Sequence, residues 1–342
     1  MKCVLHIGSA KTGTSTLQEL LYEERDHLNA NDALYPLSCL WRGDRSHNSL
    51  GIYFWDGLFD PFKTVPFASV LQALRDEMTK WPTVIVSTEL IEKAILHGNA
   101  HTQTFLDMLR AEGRAIEVVY GIRRYDHFLD SLFKHSVSDP YVLYAGSTED
   151  FLKAHAPHMQ YGRIARAWRD VPGVSRVSVT PFREKDMRGN IEGMLAQIGF
   201  PGVLPADKPL PHANRSVEGE FLRLRHALNA FQLPSKLNHE FLRATTSPQA
   251  RELSPAKTSL FSDEERAALL QSRAEDSCIL RDDFGVDLDA WPSHCDPALT
   301  PFVPLRSEEM TDALKLIEPL DQNLFQQIAR HVQDVQAGRP PS

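Results

Sequence analysis

The chain has 342 residues, 42% of them hydrophobic and 24% charged, with 37 Lys+Arg against 45 Asp+Glu for a net charge of −8. Such a composition folds, so wholesale disorder is excluded, and the acidic balance leaves no surplus cation to neutralise a nucleic-acid backbone. A small anionic ligand needs only a local cluster of donors, so that class stays open.

The four cysteines, Cys3, Cys39, Cys278 and Cys295, form no CxxC pair, which speaks against a disulfide framework and a four-ligand zinc site. No run approaches the roughly 18 apolar residues of a membrane span. The apolar stretch before Gly8 is too short for a signal peptide, and a cytoplasmic location is expected.

In chain order, the first β-branched run is Cys3–Ile7, followed by a small-residue loop and a helical pattern marked by Leu17, Leu20 and Leu21. Residues 29–67 then form a long aromatic-rich connection with Tyr35, Trp41, Tyr53, Phe54, Trp55, Phe59 and Phe62. Two further strands are expected at Thr83–Ser87 and Ile116–Tyr120, and a weaker one at Arg176–Val179. Helical patterns follow the third (Phe128, Leu129, Leu132, Phe133) and the fourth (Met194, Leu195, Ile198). Near-continuous apolar strands alternating with helices predict an α/β fold with a central parallel sheet covered on both faces.

A proline-rich loop is expected from Pro201 to Pro211, then helices over Val217–Phe231 and Ser262–Asp276 and two short ones between Glu308 and Val335. The organisation expected is an α/β domain over 1–287 with a helical C-terminal part, and a wrapping tail over 288–342. Ligands of such sheets bind at the carboxyl ends of the strands.

Directly after the first strand stands Gly8-Ser9-Ala10-Lys11-Thr12-Gly13-Thr14-Ser15-Thr16. A strand, a glycine-containing loop and a helix start make an anion cradle, because the first-turn N–H groups lack partners and the helix dipole favours negative charge. Gly8 and Gly13 allow the tight turn, Lys11 supplies a charge, and Thr14–Thr16 supply hydroxyl donors. In the nucleotide pattern GxxxxGK[ST] the lysine follows the second glycine; here Lys11 precedes Gly13.

This loop resembles the 5′-phosphosulfate-binding loop of sulfotransferases that use 3′-phosphoadenosine 5′-phosphosulfate (PAPS). That family also carries an arginine at the end of a later strand and a serine eight positions on; Arg123 and Ser131, in Gly121-Ile122-Arg123-Arg124-Tyr125-Asp126-His127-Phe128-Leu129-Asp130-Ser131, have that spacing. Tyr125 and Phe133 depart from the proline and tyrosine usual there, so the match lies in the phosphate contacts. Asn214-Arg215-Ser216 looks like an Asn-x-Ser element of bacterial sulfotransferases that resemble carbohydrate-modifying ones.

The resemblance implies a P-loop-like three-layer fold and metal-independent sulfuryl transfer, with 3′,5′-adenosine bisphosphate (PAP) as product. It implies a small-molecule or glycan acceptor; no nucleic-acid partner is expected from the charge and no membrane span from the hydropathy, and acceptor identity and oligomeric state stay open. Gly8, Lys11, Thr12, Gly13, Thr14, Ser15, Thr16, Arg123 and Ser131 would hold the donor, with Lys11 also catalytic.

Two residues are candidates for the general base. Glu89 ends the second strand, and His47 lies in the aromatic segment with a side chain that titrates near neutrality. Each has a plainer role available: Glu89 as a carboxylate at a helix start, His47 as a solvated loop residue. Trp41 and Trp55 are the aromatics best suited to an acceptor pocket. His6 is expected in the core, and His155 and His158 have no obvious metal-ligating partner. The competing functions are a P-loop kinase or NTPase and a non-catalytic nucleotide-binding or interaction protein.

Overall fold

The computed structural model describes residues 1–339 except 42, 58, 206, 211–216, 289 and 291–298. Asn214-Arg215-Ser216 lies outside the described residues. The chain is α/β and divides into two compact units, each made of three segments: Met1–Arg124, Gln160–Ala213 and Arg273–Trp291 in the first, and Tyr125–Met159, Asn214–Ser272 and Pro292–Ser342 in the second. The sequence pattern suggested one boundary at 287 because periodicity reveals elements, not which of them pack together.

The first unit is built on a parallel sheet of β1 (Lys2–His6), β2 (Ala33–Leu34), β3 (Thr83–Ser87), β4 (Ala115–Ile122) and β5 (Val174–Pro181), in the order β2-β3-β1-β4-β5. β2, only two residues long, gave no periodic signal. Both faces of the sheet are covered, as a parallel sheet requires. On one face Val4, Ile85 and Val119 pack with Leu17, Leu20 and Leu21 of α1 (Thr14–Glu23).

The expected amphipathic helix after β5 completes that layer through Ile191, Met194, Leu195 and Ile198. Strand alternation turns Tyr120 to the opposite face, where it meets Tyr161 of the helix Tyr161–Arg169 edge-on, the ring centroids 6.0 Å apart. Its hydroxyl donates to Glu92 Oε1 at 2.5 Å, and the buried Trp168 indole donates to the Glu92 carbonyl at 3.0 Å.

The aromatic segment mostly packs. Tyr35 is buried and donates to the Arg45 carbonyl at 2.6 Å, Phe54 lies against Phe67 and Phe105, and the Tyr53 hydroxyl donates to the Val65 carbonyl. Trp55 is half-buried with its indole N–H on the Leu90 carbonyl at 2.6 Å. Trp41 meets the exposed Phe62 edge-on.

The second unit holds the helix Tyr125–Ser138, a short parallel pair Lys257–Ser259 with Leu299–Pro301, and a helical core. That core joins Leu224, Leu228, Leu237 and Phe241 to Ile317, Leu324, Ile328 and Val332. The C-terminal helix Gln322–Gln336 contributes to this core, with its Leu324, Ile328, His331 and Val332 stripe buried. No helix among the described residues is long and apolar enough to cross a membrane.

Candidate anion-binding site

The order β2-β3-β1-β4-β5 sends the chain one way after β1, toward β2, and the other way after β4, toward β5. Neighbouring strands whose connections diverge open a crevice at their carboxyl ends, where ligands of such sheets bind. The loop Gly8–Gly13 leaves β1 at this point and Arg123 leaves β4 at the same point.

Main-chain pairing stitches the two ends together. Ile7 N–H donates to Val119 O at 3.0 Å, Ser9 N–H to Gly121 O at 2.5 Å, and Gly121 N–H to Gly8 O at 2.6 Å. Gly121 permits this seating, since a Cβ there would lie 3.1 Å from Thr12 Oγ1 and 3.5 Å from Gly8 O. Sequence reading passed over Gly121, although a glycine inside a strand is the usual sign of close backbone approach.

Within the loop, Gly8 and Gly13 have φ of +101° and +81°. Lys11, at φ +65°, occupies the left-handed region that costs a non-glycine residue on the order of 1 kcal/mol. Gly13 is the N-cap of α1 and offers no side chain. The first helical bond runs from Leu17 N–H to Gly13 O at 3.0 Å. Among the described residues the N–H groups of Thr14, Ser15 and Thr16 therefore have no main-chain or capping partner, which leaves a helix start suited to an anion.

The hydroxyls divide their tasks. Thr12 is buried and donates its hydroxyl to Ser9 O at 2.6 Å, so that hydroxyl braces the loop. Thr14 and Thr16 are also buried, and Ser15 is exposed.

Arg123 is brought to the loop from the next strand: its Nη1 donates to the Lys11 carbonyl at 3.2 Å, and its guanidinium lies 5.3 Å from the Phe182 ring centroid. Ser131 is half-buried on the helix Tyr125–Ser138, which belongs to the second unit. Glu89 opens the short helix after β3, and its Cβ and Cγ lie 3.3 Å from where a Cβ on Gly8 would be. That carboxylate is thus beside the loop.

His47 is in another situation. It is fully buried, accepts the Ser87 N–H on Nδ1 at 3.0 Å, and places Nε2 3.0 Å from the Pro36 carbonyl. A ring that accepts on Nδ1 carries its proton on Nε2, so both nitrogens are engaged and neither faces solvent. Burial, opposed by these backbone contacts, lowers its pKa from 6.5 to about 4. The expectation of a general base and the alternative of a solvated loop residue are both corrected: His47 ties the aromatic segment to the end of β3. His6 is in the core as expected, its Nδ1 2.7 Å from Ser87 Oγ, which also accepts from Gln18 Nε2 at 3.1 Å.

One partner was invisible in the sequence. Glu184, after β5, holds Arg123 side-on, with Arg123 Nε on Oε1 at 2.6 Å and Nη2 on Oε2 at 2.5 Å. No group of three or more His, Cys, Asp or Glu that could hold a metal is present among the described residues. No protein-family model matches this chain, and no curated protein and no solved structure matches it.

Proposed function

We propose that the protein is a sulfotransferase that moves a sulfuryl group from PAPS to a hydroxyl or amine of a carbohydrate or small natural product, on a P-loop-like α/β/α unit. The observation that carries this reading is the cradle formed across β1 and β4. Uncapped N–H groups of Thr14–Thr16, Lys11 in the preceding loop and Arg123 from the adjacent strand end meet at the point where the strand connections diverge. The resemblance of the loop, and of the Arg123–Ser131 spacing, to the sulfotransferase signatures supports the same conclusion.

In this reading the loop amides and Lys11 hold the 5′-phosphosulfate. Arg123 takes the 3′-phosphate through its planar fork; Ser131 is assigned to the donor by the resemblance alone. The acceptor oxygen attacks sulfur in line, the bond from sulfur to the bridging oxygen breaks, and that oxygen leaves with the electron pair as part of PAP. Lys11 neutralises the charge that builds on the leaving oxygen, together with amides already in place. The acceptor's proton passes to Glu89, the carboxylate beside Gly8. Charge is neutralised by protein groups, and the scheme invokes no metal.

The test is release of PAP from PAPS in the presence of a panel of sugars, amino sugars and phenols. At least one acceptor should stimulate release. Lys11→Ala should lower the rate by roughly 10²-fold or more, and Glu89→Gln by about 10²–10⁴-fold at saturating donor. Unchanged turnover in Lys11→Ala would overturn the mechanism.

A further inference from the structure

The bidentate ion pair between Arg123 and Glu184 bears on how the proposed donor site is filled. We infer that the Glu184 carboxylate stands in for the ligand's phosphate on the Arg123 fork, and that anion binding proceeds by exchange of one for the other. The inference rests on the reading of Arg123 as a phosphate contact.

The geometry favours exchange over a fixed orienting role. Two parallel N–H···O bonds at 2.6 and 2.5 Å are the arrangement that a guanidinium makes with either a carboxylate or a phosphate. Arg123 has supports that do not depend on Glu184: the Lys11 carbonyl on Nη1 at 3.2 Å and the Phe182 ring beneath the guanidinium at 5.3 Å. It therefore stays aimed at the loop when the carboxylate departs. The carboxylate is the more exposed of the two, with Arg123 15% exposed and Glu184 34% exposed.

The connection that carries Glu184 is fixed on both sides. Arg183 N–H donates to Asn190 Oδ1 at 2.8 Å and Asn190 Nδ2 to Arg183 O at 2.7 Å, while Asp186 accepts from Gly189 N–H at 2.8 Å. With the main chain held, the exchange is a rotation of the Glu184 side chain. While in place it neutralises the guanidinium and sets a negative charge beside the anion cradle, so it lowers affinity and favours release of a polyanionic product.

The experiment is calorimetric titration of PAP and, separately, of inorganic pyrophosphate into the parent, Glu184→Gln, Arg123→Ala and the double variant. Glu184→Gln should bind both anions about tenfold more tightly than the parent, a factor equivalent to about 1.4 kcal/mol. The gain should vanish when Arg123 is absent. Binding of PAP by the parent with equal or weaker binding by Glu184→Gln overturns the exchange and leaves the nucleotide site standing. Tighter pyrophosphate in Glu184→Gln with no PAP binding by any variant keeps the exchange and removes the nucleotide reading. Binding of neither anion by any variant removes both.

Discussion

Protonation of the histidines beneath the loop gives a quantitative check on the architecture. His6 and His47 are fully buried and meet at Ser87, and burial lowers each from an ordinary 6.5 to about 4. Because the folded value is the lower one, the unfolded chain binds more protons between pH 4 and 6.5. The stability this confers is present above about pH 6.5 and is lost as pH falls toward 4. The drop from 6.5 to about 4 is worth about 3 kcal/mol per histidine, of which about 2 kcal/mol is gone by pH 5.

Urea unfolding of the parent, His6→Gln and His47→Gln at pH 7 and pH 5, followed by tryptophan fluorescence, reads this directly. Both variants are expected to be less stable than the parent at pH 7. The loss between the two pH values should shrink by about 2 kcal/mol in each, since every other titrating group cancels in the comparison. A pH dependence unchanged from the parent in both variants would refute the buried neutral pair, and with it the assignment of His47 as a structural residue.

Other substitutions test the remaining parts. Gly121→Val drives a side chain toward Thr12 Oγ1 and Gly8 O, and overpacking of this kind costs about 1–3 kcal/mol. It should lower the melting temperature and abolish stabilisation by PAP; parental values of both would contradict the seating of the loop on β4. Ile328→Ala, in the core of the second unit, should destabilise by about 2–5 kcal/mol in denaturant unfolding. A change near zero would contradict the place of the C-terminal helix in that core.

The parts of the site that were legible in the sequence are those set by local order. A strand followed by Gly8 to Thr16 fixes a helix start with open N–H groups, and Arg123 follows a strong apolar run that had to end near Ile122. The parallel α/β sheet was legible for the same reason, because β1, β3 and β4 each carry a run of apolar residues through their middle. What stayed hidden depends on contacts between distant segments. His47 reads as a polar loop residue until the 29–67 connection folds back onto β3, and Glu184 lies 61 residues from the arginine it holds. The hydrogen bond that Thr12 donates to Ser9 O is a bracing contact that the sequence did not reveal. The interleaving of the two units has no local signature either, since helices that look alike in pattern pack into different cores.

The most direct test of the central claim is the thermal shift of the protein with PAP, set against 5′-AMP and against ATP with Mg²⁺. A ligand at about 100 times its dissociation constant stabilises by roughly 2.7 kcal/mol, which moves a melting transition visibly. The account predicts a rise with the 3′,5′-bisphosphate that exceeds the rise with 5′-AMP and that Arg123→Ala removes. A rise with ATP and Mg²⁺ alone, or none with the bisphosphate, would contradict it.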